Sequence, residues 1–582
     1  MTERTHTTGT EQAVPRADTD RQEPVSGEEA EAPSTSPQPP SPPPFVPMSR
    51  LRASGYFGTS VLLALAQGFG QSVVSANVQQ LQGGFGATQA ETTWLVAAYL
   101  APNVSLTLAL IKIRAQYGLR NFAELSIIGF LLAALLNYAA DGLWSNMAVR
   151  FLSGMAAAPM TSLAFLYMLE PLPPEKKLNI GLSAALTAIF MGSSVTRLVS
   201  PHLLEVGLWH GLTAFEAAMA AIGFGLIYLF PLNSPPRSKV IESADVISFL
   251  LIAVSFGALA VSFTLGPLYW WFEQPWLGVL LAVGVAAFAV AACIELNRTS
   301  PLIDIRWLTS PPVLHFAGTL LLFRLVLSEQ SSGAAGLFRA LGLLNDQTRM
   351  LWVVVLCVTI LGGVICAFTL KPERVQQFHI VSLSLLIVGS LMDARATSQI
   401  APSQMYLSQG LIAMASALFL PPALLSGLLS ALARGPQYLL SFIVVFISTQ
   451  KIGGVFGSAL FSTFVQIRQK LHLTRLYEAL PATDPMVASQ MSAYGAAYSS
   501  SISDPAQLAG QAATVMGRQV ATQASVLAYN DAFLGVAALS TAALALLLGH
   551  VALDGWRARR KAAADAAVSV NDPANPSPPQ AA

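Results

Sequence analysis

Five charged residues interrupt long apolar runs of this sequence and are candidates for charge coupling: Arg150, Arg197, Glu216, Arg324 and Glu329. A charge at the centre of a lipid bilayer costs about 2.5–3.5 kcal/mol on insertion scales, so such a residue faces a cavity or a partner. Arg150 in MAVRFLSGMAA either takes part in charge coupling or snorkels from a helix end. Arg197 either lines a cavity, where it would favour an anionic or zwitterionic ligand, or pairs with Glu205 or Glu216. Arg324 and Glu329 lie five apart, about 140° around a helix, so each is expected to pair across helices. Glu329 is the most attractive titratable carboxylate of the second half, since burial favours the neutral acid that proton exchange needs. The alternative places it beyond its span, in water.

Other residues have the types for a binding cavity. Gln67, Gln71, Ser72, Trp94, Tyr99 and Asn103 make two early spans unusually polar, with aromatic faces for amphiphiles. Packing explains each one equally well. Lys451 precedes Gly453, Gly454, Gly457 and Ser458, a small-residue stripe that reads as close helix packing. Pro421-Pro422 should kink or break its helix. His202, His210 and His315 are isolated. No phosphate-binding Gly-Lys loop, metal spacing or catalytic triad is visible, so the expectation is a non-enzyme with no cofactor and no metal.

Helices in lipid must position these residues. The chain has 582 residues, 53% hydrophobic and 11% charged, against about 25% charged in soluble domains. Apolar runs recur from Tyr56 to Leu553, too long and unalternating for barrel strands. The expectation is an all-α polytopic membrane protein with about fourteen spans near 56–78, 91–112, 121–140, 145–168, 178–204, 209–231, 244–266, 275–295, 312–338, 347–370, 378–393, 405–431, 436–464 and 530–553. Net charge of +1 argues against a nucleic-acid partner. Cys293, Cys357 and Cys366 lie in apolar runs and read as small core residues. The first 48 residues are polar and Pro-rich without an apolar h-region, so a disordered tail rather than a signal peptide is expected.

Lys and Arg concentrate in alternate connections when the N-terminus is placed in the cytoplasm: Arg50 and Arg52, Arg114 and Arg120, Lys176 and Lys177, Arg237 and Lys239, Arg298 and Arg306, Lys371 and Arg374, Arg434, then Arg557, Arg559, Arg560 and Lys561. Both termini are then cytoplasmic. A large polar outer segment, 466–529, should be helical, because Asp484-Pro485 and Asp504-Pro505 each fit an N-cap followed by a first-turn Pro. Tyr56, Trp144, Trp209, Trp270, Trp271 and Trp276 suit interfacial belts.

Several segments resemble the major facilitator superfamily, specifically its fourteen-span drug/proton antiporters. TQKIGGVFGSALFSTFVQIRQKLH at 449–472 is similar to that family's thirteenth span, and QASVLAYNDAF at 523–533 to the entry of its last. GATQAETTWLVAAYLAPN at 86–103 resembles its second span, and LPPEKK at 172–177 its loop between spans four and five. In the cytoplasmic signature after span two, IKIRAQYGLR keeps Gly118 and Arg120, but Ala115 stands at the acidic position. Ser72 stands at an Asp position of span one, Arg150 and Gly154 remain in span four, and Ser153 replaces its Gln. Thr196-Arg197 replaces a Gly-Pro of span five.

The resemblance implies a facilitator fold of two six-helix bundles plus two extra helices, 50–232, 233–300 and 301–555, flanked by tails 1–49 and 556–582. It implies an inner-membrane, proton-coupled exporter of amphiphilic toxic compounds or metabolites, with small-molecule substrate, protons and lipid as partners. A periplasmic adaptor and an outer-membrane channel could complete the path. The replaced signature residues equally suit a transport-inactive receptor or assembly partner, or an exporter of one acidic metabolite. Arg150 would take part in proton coupling, and Lys451 sits where a polar or basic residue is common.

Overall fold

The computed structural model describes residues 47–233, 241–298, 301–302, 304–435, 438–481 and 483–570. The expected N-terminal tail and Arg237 and Lys239 lie outside these. No strand occurs among the described residues. The described residues form fourteen helices of at least 16 residues, in chain order: α1 (Arg50–Ala76), α2 (Gln89–Tyr117), α3 (Leu119–Ala139), α4 (Leu143–Leu169), α5 (Leu182–Gly207), α6 (Trp209–Leu229), α7 (Ser243–Tyr269), α8 (Pro275–Leu296), α9 (Pro311–Val326), α10 (Arg349–Thr369), α11 (Val375–Asp393), α12 (Tyr406–Arg434), α13 (Tyr438–Glu478) and α14 (Pro505–Val570). Among the described residues, twelve helical segments are long and apolar enough to cross a bilayer. The two long helices outside that set, α2 and α13, pack among them, α2 on α4 and α7, α13 on α9 and α14.

Two apolar cores organise these helices. One draws on residues from Tyr56 to Leu232, the other chiefly on residues from Trp307 to Val536. Leu182 and Leu186 of α5 belong to the second core, so α5 crosses the seam and packs on α10. The pair α7 and α8 stands beside α2, and α7 also touches α13. Exposure to lipid follows composition: α8, with a mean hydropathy of 2.7, has 17% of its apolar stretch buried, whereas the α12 segment, at 1.9, has 78%.

Local sequence accounts for the helix ends. Thr88 and Glu91 form a reciprocal capping box at the start of α2. Gly118 joins α2 to α3 at φ +84°, a conformation costly for any residue with a Cβ. Asp484 and Asp504 accept from Met486 N and Ala506 N, and the end of α13, a helix Pro485–Tyr498 and the start of α14 succeed one another there.

Some expectations are corrected. Pro421 and Pro422 do not break α12, which runs on through both, and both prolines are buried. Tyr56 and Trp209 are interior rather than interfacial, donating to Pro231 O and Asn146 Oδ1. Cys293 and Cys357 are exposed on apolar helices; only Cys366 is buried.

Candidate functional site

Polar residues buried between the helices form four groups. The first surrounds Arg150 on α4, which is fully buried, so the snorkelling alternative falls. Its guanidinium lies 4.4 Å from the ring centroid of Tyr99, donates to Gly70 O, and stands 3.7 Å from Glu216 Oε2. Asn137 donates to the same Glu216 oxygen at 3.1 Å. Arg150 Nε and Nη1 and Glu216 Oε1 find no hydrogen-bond partner. This is a loose ion pair with spare donors and acceptors, unlike a closed bidentate one. Gln67 and Gln71 bond each other at 2.8 Å beside it. Small residues allow the close approach: a Cβ on Gly154 would strike Tyr99 O and Pro102.

The second group crosses the seam. Lys451 on α13 donates to Asn103 Oδ1 at 2.7 Å, Asn103 O at 3.2 Å and Thr107 Oγ1 at 2.9 Å, all on α2. Asn103 also donates to Gly154 O at 3.1 Å. Tyr99, Asn103 and Thr107 recur every four residues, so one face of α2 carries both the Arg150 contact and the Lys451 contact. The glycine stripe after Lys451 receives α9. A Cβ at Gly457 would lie 3.0 Å from Arg324 O, and Gly453 and Gly454 face the Arg324 side chain. Arg324 therefore lacks the expected cross-helix ion pair among the described residues.

The third group holds two carboxylates. Glu329 begins a π-turn, Glu329–Ala334, that continues α9, and is fully buried, so it is not outside its span. Gln409 of α12 donates one amide hydrogen to Glu329 Oε1 at 2.9 Å and the other to Asp393 Oδ2 at 2.6 Å. Asp393 ends α11 and is 2% exposed. No cation pairs with either among the described residues. Two unpaired charges in one dry site are costly. Asp393 escaped sequence reasoning, because a carboxylate at a span end reads as solvated.

The fourth group contains Arg197, 8% exposed. It pairs with neither Glu205 nor Glu216, correcting that expectation: Glu205 faces His202 and Glu216 faces Arg150. Instead Arg197 donates to Asn345 Oδ1 at 3.3 Å and lies 4.5 Å from the ring centroid of Trp352.

Trp94 lies apart from all four groups. It stacks on Trp276 at 5.7 Å and donates to Tyr269 at 3.3 Å, joining α2 to α7 and α8 rather than lining a cavity. Ser72 is half-buried on α1.

The basic island at the end of α2 is anchored in an unexpected way. Lys112 and Asp245 meet at 2.7 Å, both buried. Arg298 adds bonds to Asp245 at 2.7 Å, Glu295 at 3.0 Å and Glu242 at 3.0 Å. Burial opposes charge on Arg298, but Asp245, Glu242 and Glu295 outweigh it and raise its pKa above the usual guanidinium range. Gln116, one turn beyond Lys112, accepts from Ile241 N at 2.9 Å. Arg120 pairs on the exposed surface with Glu124. The signal available in sequence was Lys112 within an apolar run, passed over in favour of its neighbours.

A two-core helical bundle whose helices are long and apolar enough to cross a bilayer, with charges buried inside each half and between them, has the architecture of a polytopic membrane protein. The profile of the Major Facilitator Superfamily matches residues 60–418, and the chain belongs to that family. It is 22% identical over 510 residues to the multidrug export protein EmrB of Haemophilus influenzae, covering 82% of this chain and 92% of that one. It is 26% identical over 296 residues to the fatty acid resistance protein FarB of Neisseria gonorrhoeae, and 22% over 236 to the colistin resistance protein EmrB of Acinetobacter baumannii. Those matches span 55% and 45% of the relatives' lengths. The human organic anion transporter MFSD10 shares the fold, with a TM-score of 0.51 at 12% identity, 85% of this chain and all of that one being covered.

Proposed function

We propose that this chain is an inner-membrane exporter of amphiphilic small molecules, driven by proton antiport through alternating access of two helical bundles, 50–232 and 301–555. The observation that carries the reading is the Glu329–Gln409–Asp393 group, two carboxylates buried without a cation. Closed and dry, such a site is cheapest with a proton on it; opened to water, it can release that proton. Arg150 and Glu216 supply a second charge pair in the other bundle, loose enough to exchange partners. Rocking must break Lys451 from Asn103, which ties that motion to the α2 face carrying Tyr99. Substrate and proton then favour opposite states, and each biases the equilibrium by its differential affinity. Relatives named for multidrug export and fatty acid resistance support amphiphilic cargo. The outer helices of 466–529 are the surface we assign to a periplasmic adaptor leading to an outer-membrane channel.

A non-transporting receptor is the competing reading, motivated by Ser72, Ala115 and Thr196-Arg197. The Lys112–Asp245–Arg298 cluster weighs against it, since it supplies ionic anchoring near the position where the signature acid is absent. The test is proton movement in inverted vesicles energised by respiration, with cationic, neutral and anionic amphiphiles added. Gradient collapse that Glu329→Gln and Arg150→Ala abolish is the expected result. Folded protein that responds to no compound would favour the receptor.

A further inference from the structure

A cleft at the seam, separate from the carboxylate pair and from Arg150, is lined by Arg197, Arg339, Asn345, Phe338, Trp352 and Ala76. Arg197 belongs to α5, while Arg339 lies in the short helix Ala335–Ala340 after the π-turn, so the two guanidinium groups come from opposite halves of the chain. Both guanidinium groups line this one cleft, where like charges repel. Neither has a carboxylate within ion-pair distance among the described residues. Arg197 is more than nine-tenths buried, and its Nε has no hydrogen-bond partner. Arg339 is half-buried, its visible bond being a long one, 3.4 Å, to Ser75 O.

The same place is where the halves are stitched. Asn345 donates to Ala76 O at 2.8 Å and to Asn77 Oδ1 at 3.0 Å, and Asn77 donates to Ser200 Oγ at 2.9 Å. Two like charges lining one cleft at a stitched seam, one of them buried, are unfavourable unless an anion joins them. Trp352 and Phe338 offer apolar surface beside the charge.

We infer that this cleft binds the anionic head group of an amphiphile, a carboxylate or phosphate bridging Arg197 and Arg339, with its apolar part against Trp352 and Phe338. Bound there, the anion neutralises the repulsion and holds this end of the seam closed. Two sources share that chemistry, a free amphiphile and a membrane lipid. The site stands whether or not the chain exports anything.

The test is binding of radiolabelled decanoate to the full-length chain in nanodiscs of zwitterionic phosphatidylcholine, with decyltrimethylammonium as the cation of equal chain length. Saturable decanoate binding is expected, not displaced by the cation, and weakened at least tenfold by Arg197→Gln and by Arg339→Gln. Arg339→Lys should keep most of the affinity. Because Arg339 is half-buried, its variants keep the test valid if Arg197→Gln does not fold. Nanodiscs of phosphatidylglycerol separate the sources: loss of decanoate binding there supports the site with lipid as occupant, and retained binding supports the free amphiphile. Affinity unchanged in Arg339→Gln, or equal affinity for the cation, would overturn the assignment.

Discussion

Asp245→Asn probes the anchor between the basic island and the linker helices. In the native chain Asp245 Oδ1 meets Lys112 Nζ and Arg298 Nη1, each at 2.7 Å, and Oδ2 accepts from Glu242 N at 2.9 Å. The amide is nearly isosteric and still accepts, so shape is kept and charge is lost. Lys112 and Asp245 are 6% and 4% exposed, which places the pair among buried ion pairs, where removing one partner costs about 3–5 kcal/mol. Arg298 retains Glu242 and Glu295, so the expected loss falls at the low end, about 3 kcal/mol. The assay is equilibrium unfolding in mixed micelles with rising dodecyl sulfate, repeated for Lys112→Met and for the double variant. Coupling between the two positions should be about 1–3 kcal/mol. Arg120→Ala, which removes an exposed i,i+4 pair, should leave the transition unmoved. A stability of Asp245→Asn within about 0.5 kcal/mol of wild type, the usual range for surface changes, would refute the claim that this cluster anchors the linker helices.

Three further outcomes are expected. Glu329→Gln keeps the Gln409 acceptor and so should keep fold and substrate binding; in proteoliposomes, exchange without a gradient should persist. A one-unit pH gradient, about 1.4 kcal/mol per proton, should give wild type about tenfold accumulation and this variant none. Gly457→Val should push α9 from α13, since even a Cβ would lie 3.0 Å from Arg324 O and Leu325 Cα; overpacking costs typically about 1–3 kcal/mol, read by thermal unfolding in detergent. Gly118→Ala forces a Cβ into φ +84° between α2 and α3 and should cost about 1–2 kcal/mol in the same assay, whereas Gly83→Ala, in open space within a helix, should not destabilise.

What the sequence determined by itself follows from local chemistry. Lipid demands helices of a minimum length, so apolar runs marked the spans from Arg50 to Asp393 closely, and Asp-Pro pairs marked helix starts at Pro485 and Pro505. The four-residue spacing of Tyr99, Asn103 and Thr107 was equally legible, being a property of one helix. Partnership was not. Whether Arg197 met Glu205, Glu216 or no acid depended on how α5 and α10 face each other, and only the tertiary structure set it against Trp352 and Asn345. Glu329 and Asp393 are 64 residues apart and meet through Gln409, a coincidence of α9, α11 and α12 that no local pattern encodes. Lys112 lay in an apolar run with no partner legible nearby, and α7 brings Asp245 to it. Charges in an apolar bundle find partners through space, at long sequence separation, and the helix packing that brings them together is decided by the whole set of side chains rather than by any one segment.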